Sequence, residues 1–342
     1  MAWNDPNCKM KHFVSINKNE IEFFSDENIT ILEQAENNGH SLKNGCRLGA
    51  CRVCKLKLLS GDIEYTVGNK IGLTKKELDD NYFLPCCAIA KSNIVCEADG
   101  DNKMLSDTKE GAVICDITRT PGITVIRFKL SKRSKMDFIP GQYIGIEVPN
   151  GKCRYYSVAN IPKDDGYVEI HVAKNKNGVF SDVICEKLKV NDVLWIYGPY
   201  GDFISDYHDE VRDIVFVATG TGFAPIKSII ESGVFNERKI HLFWGGRRKA
   251  DHYFSEIVDN WKNTLGNFHF HMALSRSDEE DYPEVHFGYV QDVFKKEIGL
   301  NNQIEVYMCG SPNMISDMSE LLKESYQLNE DYIHVDVFYP NS

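Results

Sequence analysis

The sequence predicts a multidomain chain in which an α+β part, an antiparallel β-barrel and an open parallel α/β sheet follow one another. Three observations predict it. The chain has 342 residues, more than one ordinary domain of roughly 100–200 residues would use. Five of its 11 cysteines fall between residues 46 and 87, and the others are scattered singly. The hydrophobic texture also changes twice along the chain. Short strands around a cysteine-rich loop give way to closely spaced strands without helices, and these to strands alternating with helical stretches.

The elements follow in order. Phe13–Ile16 and Ile21–Phe24 read as two strands joined by the polar turn Asn17-Lys18-Asn19, and Ile31–Asn37 as a short helix stopped by Asn38-Gly39. After the cysteine loop come strands around Lys55–Leu59 and Ile94–Ala98. The polar run DGDNKMLSDTKEG over 99–111 reads as a linker. From 112 to about 206, segments such as ITVIRFKL, CRYYSVAN and GYVEIHVAK alternate between Gly and Pro turns, as the strands of an antiparallel barrel do. Gly198-Pro199-Tyr200-Gly201 reads as a sharp turn closing it. From 207 to 342, strands IVFVA, KIHLFWG, FHFHMALS, EVYMCG and YIHVDVF alternate with helices after Pro225, His252, Asp292 and Asn313. That alternation is the pattern of a parallel sheet with helices on its faces. The expected domains are therefore 1–100, 112–206 and 207–342, with 101–111 as linker.

Composition narrows the partners. A content of 42% hydrophobic and 26% charged residues excludes a disordered or fibrous chain. A net charge of -11 argues against nucleic acid or an anionic membrane as partner, since phosphate recognition needs basic surfaces. IVFVA is typical of the longest apolar runs, far short of the ~18 residues of a membrane-spanning helix. The opening residues MAWNDPNCKM lack the apolar core of a signal peptide. The expectation is a cytoplasmic protein. There, clustered cysteines point to metal rather than to disulfides.

The cysteines themselves specify the metal. Cys46, Cys51 and Cys54 stand as C-x4-C-x2-C, with Cys86 32 residues beyond. This is the spacing by which four thiolates hold a plant-type 2Fe–2S cluster. Gly49 suits a loop whose amides must approach bridging sulfides. A zinc site is the competing reading, but it favours two C-x2-C pairs where one is present. Cys87, adjacent to Cys86, leaves the fourth ligand open between them.

Further along, Arg154, Tyr156 and Ser157 form an R-x-Y-S pattern. It offers a cation for a flavin pyrophosphate, an aromatic to stack on the isoalloxazine and a hydroxyl near flavin N5. A barrel strand with a surface Arg would look the same. The pattern gains weight from His171-Val172 and from Gly178-Val179-Phe180-Ser181, a small residue and a hydroxyl opening a helix. Gly220-Thr221-Gly222-Phe223-Ala224-Pro225 directly follows the strand IVFVA and opens a helix, as a pyrophosphate-binding turn does. Cys309-Gly310-Ser311-Pro312 ends another strand of the same sheet. Strand ends on one side of such a sheet are where ligands bind, although a lone cysteine is more often a core thiol.

In this order the motifs resemble the ferredoxin-NADP reductase superfamily carrying an N-terminal plant-type 2Fe–2S domain, over roughly residues 12–340. Within it the chain is most similar to the CDP-6-deoxy-3,4-glucoseen reductases of deoxysugar biosynthesis and to reductase components of bacterial oxygenases. The matching stretches are RYYSVAN (154–160), GVFS (178–181), GTGFAPIK (220–227), FWGG (243–246), Cys309–Ser311 and Asp336-Val337-Phe338. The resemblance implies a β-grasp ferredoxin domain, a Greek-key β-barrel for FAD and a Rossmann-like NAD(P)H domain. It assigns Arg154, Tyr156, Ser157, His171, Val172, Gly178, Ser181 and Phe338 to FAD. It assigns Gly220, Thr221, Ala224, Pro225, Gly245, Cys309 and Gly310 to the nicotinamide nucleotide, and Cys46, Cys51, Cys54 and Cys86 to the cluster. Ser157, Cys309 and Asp336 would lie at the reacting atoms. Arg52 stands where such loops often carry Gly, and a cation there should raise the cluster potential.

The resemblance implies an NAD(P)H:acceptor oxidoreductase. Hydride would pass to FAD, and single electrons would pass through the 2Fe–2S cluster to a partner protein. That partner would be a deoxysugar dehydrase or, alternatively, an oxygenase component. A redox-sensing flavin and iron–sulfur module is the alternative of another class. Ser275-Arg276 is similar to a pair that holds the 2′-phosphate of NADPH, and Arg247-Arg248 could serve likewise. Asp278, Glu279, Glu280 and Asp281 would repel that phosphate, so NADH is favoured. Residues 1–100 carry 12 basic against 14 acidic side chains, so no dominant charge names the acceptor.

Overall fold

The computed structural model describes residues 11–17, 20–40, 42, 49, 54–66, 73, 75–98, 109–131, 134, 136–149, 153–163, 166–175, 178–201, 203, 212–276 and 285–338. They fall into two compact units, Met1–Asp107 and Thr108–Asn341.

The first unit is built from β1 (Lys11–Ile16), β2 (Ile21–Asp26), α1 (Ile31–Asn37), β3 (Leu56–Ser60), β4 (Ile63–Tyr65), α2 (Lys75–Asp79), β5 (Tyr82–Phe83), β6 (Ala88–Ala90) and β7 (Ile94–Glu97). Its five-stranded sheet has the order β2-β1-β7-β3-β5. β1 pairs antiparallel with β2 and parallel with β7, so the first and last strands lie side by side. Thr30 starts α1 by accepting a hydrogen bond from the Glu33 amide at 3.2 Å, which satisfies one of the free donors at a helix start. The helix buries Ile31, Leu32 and Ala35 in a core with Val14, Phe23, Phe83 and Ile94. The sequence reading anticipated the strands and α1 but not β4, β5, β6 and α2, which are too short to show a period.

The second unit opens with six strands, β8 (Glu110–Thr120), β9 (Ile123–Lys129), β10 (Tyr143–Glu147), β11 (Cys153–Ser157), β12 (Tyr167–Ala173) and β13 (Val193–Tyr200). They form one sheet in the order β11-β10-β13-β8-β9-β12 with every pairing antiparallel. A bridge between Val158 and Ile170 joins the two edge strands and closes the barrel. Inside it lie Ile114, Ile126, Phe128, Ile144, Ile146, Val168 and Ile196. β8 begins at Glu110, within the stretch read as linker. Gly198-Pro199-Tyr200 is not a turn: these residues continue β13 through a cis Gly198–Pro199 bond and a register shift against Tyr143. Glycine and proline signal turns only on average, and here the strand partner decides.

The same unit continues as β14 (Asp213–Thr219), α3 (Phe223–Ser232), β15 (Ile240–Gly246), α4 (Ser255–Thr264), β16 (Phe268–Leu274), β17 (Val285–Phe287), α5 (Val290–Ile298), β18 (Ile304–Gly310), α6 (Pro312–Glu324) and β19 (Ile333–Val337). The sheet order is β17-β16-β15-β14-β18-β19, all parallel. The short edge strand β17 was not anticipated. Connections run outward from β14 one way and return to β18 on its other side, so the sheet changes direction between these strands. Ligands of such sheets bind at that point, beyond the carboxyl ends of the strands. Here the ends are Thr219 and Gly310. Among the described residues no helix is long and apolar enough to cross a membrane.

On this sheet His241 of β15 and His271 of β16 lie ring to ring, Nδ1 to Nε2 at 3.1 Å. A hydrogen bond between two imidazoles needs both neutral or one charged, never both charged. Burial pushes His241 down to about 3 and His271 down to about 4, against roughly 6.5 in an unfolded chain. The unfolded state therefore takes up protons that the folded state refuses. Stability is full above about pH 6.5 and declines as pH falls toward 4. Each imidazole contributes a slope of at most about 1.4 kcal/mol per pH unit, reduced by its solvent contact. The expected result is a urea midpoint that falls with acidification. A His241→Phe, His271→Phe double variant should flatten that fall, and an unchanged slope would contradict the assignment.

Candidate functional site

Strand β11 carries the proposed flavin residues along one edge of the barrel. Ser157 is buried, and its hydroxyl oxygen has no hydrogen-bond partner among the described residues. A buried hydroxyl left unpaired costs about 1–3 kcal/mol, so a partner beyond the described residues is expected. Arg154 is half-buried and spends one guanidinium nitrogen on the Cys153 carbonyl oxygen at 3.1 Å. Its remaining donors suit a pyrophosphate. Tyr156 packs against Phe180 with centroids 5.3 Å apart, and burial pushes its phenol up. Gly178 precedes a helical turn over Val179–Ile184. A β-carbon on Gly178 would lie 2.3 Å from the Ser181 hydroxyl oxygen, which itself accepts from the Asn175 amide at 3.3 Å. Val172 points into the barrel core.

The His171 side chain is engaged within the chain. Its ring is buried and both nitrogens are engaged: Nδ1 with the Tyr253 hydroxyl at 2.8 Å and Nε2 with Glu169 at 3.1 Å. The side chain is therefore not a free flavin ligand. Glu169 also meets Arg127 Nε at 2.7 Å and Lys227 Nζ at 3.3 Å. Burial drives the Glu169 carboxyl up, but the His171 hydrogen bond and the Lys227 and Arg127 charges outweigh it and hold it well below the carboxylate range. Burial in turn holds His171 below its ordinary value. Glu169, Lys227 and Tyr253 were missed. The available signal was a lone lysine in the otherwise apolar helical run Phe223–Ile230, since an unpaired charge is rarely buried.

At the end of β14, Gly220 takes φ +56°, and the space where a side chain would start is open. Gly222 is the reverse. A β-carbon there would lie 2.0 Å from the Cys309 carbonyl oxygen. Trp244 holds the turn from the other side, with Nε1 donating to the Gly220 carbonyl oxygen at 3.2 Å and its indole stacked on Phe223 at 3.9 Å. Thr221 is half-buried. Ala224 and Pro225 are buried in the first turn of α3, where they start the helix rather than present side chains. Gly245 is buried with its would-be β-carbon 3.1 Å from the Thr219 methyl.

On β18, Cys309 is fully buried opposite Asp336 of β19, Sγ to Oδ2 3.9 Å. Burial and that carboxylate push the thiol well above its ordinary value, so it stays protonated. A β-carbon on Gly310 would lie 2.1 Å from the Thr219 hydroxyl oxygen, which accepts from the Ser311 amide at 3.0 Å. The Phe338 amide donates to the Gly310 carbonyl oxygen at 2.7 Å. The structure thus brings Cys309, Gly310, Asp336 and Phe338 together at one end of the sheet, beside Gly220.

In the first unit Cys54, Cys86 and Cys87 are buried, while Cys46, Cys51 and Arg52 lie outside the described residues. Gly49 takes φ +78°, as a tight loop requires. Cys86 receives hydrogen bonds from the Cys54 and Cys87 thiols and the Gly49 amide, and is held well below the usual thiol range. Cys87 Sγ also lies 3.5 Å from the Leu84 carbonyl oxygen. Two converging buried thiols, one supported by a loop amide, fit a thiolate-held cluster. The orphaned Ser157 hydroxyl fits a flavin, and the open Gly220 turn fits a nucleotide.

A cysteine-bearing unit, an antiparallel barrel and a parallel α/β sheet with a bare glycine turn thus follow one another along the chain. Comparison with known proteins gives the same division. Residues 14–91 match the 2Fe-2S iron-sulfur cluster binding domain, 114–204 the oxidoreductase FAD-binding domain and 216–320 the oxidoreductase NAD-binding domain. The chain is 32% identical to CDP-6-deoxy-L-threo-D-glycero-4-hexulose-3-dehydrase reductase of Yersinia pestis, over 89% of this chain and 91% of that one. It is 29% identical to terephthalate 1,2-dioxygenase reductase component 1 of Comamonas sp, over 96% and 98%. An Amycolatopsis cytochrome P450 reductase shares the fold with a TM-score of 0.70 and 24% identity, over 97% of this chain and 100% of that one. The chain belongs to the iron–sulfur flavoprotein reductase family of oxidoreductases, with FAD-, NAD- and 2Fe–2S-binding domains.

The cysteine geometry makes a paired prediction. Cys86→Ser should abolish the visible spectrum of the cluster, because a hydroxyl is a poor iron ligand. Cys87→Ser should retain the cluster with iron and sulfide content unchanged. Loss of the cluster in Cys87→Ser alone would reverse the assignment.

Proposed function

We propose that this reductase uses NADH to supply single electrons to a deoxysugar dehydrase, with Cys46, Cys51, Cys54 and Cys86 as cluster ligands. The similarity to the Yersinia dehydrase reductase, spanning 89% of the chain, carries the choice of partner. A second reading, a reductase component of an oxygenase, is favoured by the terephthalate dioxygenase relative that spans 96% of the chain. Cysteines clustered at 46–87 with metal-ligand spacing, rather than a disulfide framework, suit a reducing cytoplasm.

Bound FAD supplies the conversion between a two-electron donor and a one-electron centre. The chain's own groups bind and orient. Arg154 would hold the pyrophosphate, and Ser157 would place its hydroxyl at the flavin edge. The Gly220 turn at the end of β14 would take the nucleotide phosphates on bare amides. The protonated, buried Cys309 would pack beside the nicotinamide without acting as a nucleophile. Ser275 supports NADH: its hydroxyl donates to the Gly246 carbonyl oxygen at 3.3 Å and its amide to the same oxygen at 3.0 Å. A hydroxyl so occupied is less available to a 2′-phosphate.

Anaerobic titration with NADH, followed by absorbance and electron paramagnetic resonance, should bleach flavin and cluster bands and produce a reduced 2Fe–2S signal. Oxidation of the reduced protein by a purified deoxysugar dehydrase, and not by an oxygenase component, would establish the partner; the opposite preference would overturn it. Ser157→Ala should slow flavin reduction by about a hundredfold, the range for losing one aligned donor, with the cluster intact. A rate within about twofold of wild type would remove Ser157 from the site.

A further inference from the structure

We propose that Lys227, anchored by Glu169, is a positioning residue that sets the Gly220 nucleotide turn against the flavin strand. The inference rests on the reading that nicotinamide meets flavin beside Ser157.

Lys227 sits on α3, the helix that the Gly220–Gly222 turn opens. Its side chain is buried. The ammonium donates to the Ala159 carbonyl oxygen at 2.9 Å and to Glu231 at 3.0 Å, and lies 3.3 Å from Glu169. Its neighbour Ser228 donates to the Asn160 carbonyl oxygen at 2.8 Å. Ala159 and Asn160 follow Ser157 by two and three residues. Two successive residues of the nucleotide helix therefore grip two successive carbonyls of the segment leaving the flavin strand. Asn160 secures that segment in the barrel, accepting from the Glu169 amide at 2.8 Å and donating to the Tyr167 carbonyl oxygen at 2.9 Å.

A second route runs parallel. Glu169 orients His171, whose other nitrogen meets the Tyr253 hydroxyl. Tyr253 packs edge-on against Trp244 with centroids 5.5 Å apart, and Trp244 Nε1 holds the Gly220 carbonyl oxygen. Both routes begin at Glu169, and both end on the element that would carry the nucleotide.

A buried ionic cluster is a weak source of stability, because apolar residues of similar volume do as well. What charges and hydrogen bonds add is direction: they fix one register where an oily contact tolerates several. Transfer between two bound rings needs such a register, since a displacement near 1 Å can cost about a hundredfold in rate.

The test compares wild type with Lys227→Met and with the Lys227→Met, Glu169→Gln double variant, which removes the carboxylate charge along with the lysine. In flavin-free protein, hydrogen exchange should accelerate in 223–232 and 158–170 and stay unchanged in β16. In the FAD-loaded protein, flavin reduction at saturating NADH should slow about tenfold or more. The half-saturating NADH concentration should change less than about twofold, flavin content should hold, and the long-wavelength nicotinamide–flavin charge-transfer absorbance should fall. The double variant should show the same loss, because the bond to Ala159 is absent in both.

Wild-type rates in the double variant would assign the defect to an uncompensated Glu169 and overturn the proposal. Loss of rate in proportion to loss of flavin, or exchange raised throughout the unit, would likewise reduce Lys227 to a structural role. Failure of NADH to reduce wild-type flavin would instead refute the reading of the site, while the exchange comparison still decides the latch.

Discussion

Residue 222 has no room for a β-carbon, because one would lie 2.0 Å from the Cys309 carbonyl oxygen. Residue 310 is equally closed by the Thr219 hydroxyl, 2.1 Å from where its side chain would begin. These two clearances are one constraint seen from both sides. The strands β14 and β18 lie adjacent where the sheet changes direction, and their ends must pass backbone to backbone. That contact leaves the Gly220 turn bare and places Cys309 and Asp336 at its flank. The geometry of the proposed nucleotide site is thus a consequence of how closely two strand ends approach, and glycines stand at 222 and 310 because any other residue would push them apart.

The barrel meets that site through polar atoms rather than through oil. Buried Lys227, Glu169 and His171, half-buried Tyr253 and exposed Arg127 form a group in which each charge has a partner. Satisfied networks of this kind are rigid, and partly satisfied ones are costly. Ser157 lies at the end of β11, only two residues before Ala159, yet its buried hydroxyl has no partner among the described residues. In the proposed site that hydroxyl would meet the flavin.

The first unit follows a different logic. Its sheet is small, and its core of Val14, Phe23, Leu32 and Phe83 supports the buried Cys54, Cys86 and Cys87, which form no disulfide among the described residues. Cys86 and Cys87 show how neighbouring residues of identical chemistry are separated by backbone. Cys86 gathers hydrogen bonds from Cys54, Cys87 and the Gly49 amide, while Cys87 also reaches back to the Leu84 carbonyl.

The sequence by itself determined the three-part architecture, the C-x4-C-x2-C spacing, the RYYS strand and the glycine turn after IVFVA. Each is a local pattern whose chemistry depends on neighbours along the chain, so a linear reading finds it. Legibility failed where the partner lay far away in sequence. Gly198-Pro199-Tyr200 reads as a turn but extends β13, because pairing with Tyr143 overrides local preference. The partners of the His171 ring, Glu169 and a tyrosine 82 residues away, are not visible in the sequence. The sequence shows Lys227 only as a lone lysine in an apolar helical run, and the fold brings the Ala159 carbonyl and the Glu169 carboxylate to its ammonium. Tertiary structure decided these roles because the strength of a hydrogen bond or ion pair depends on distance and burial, and neither is written in the order of residues.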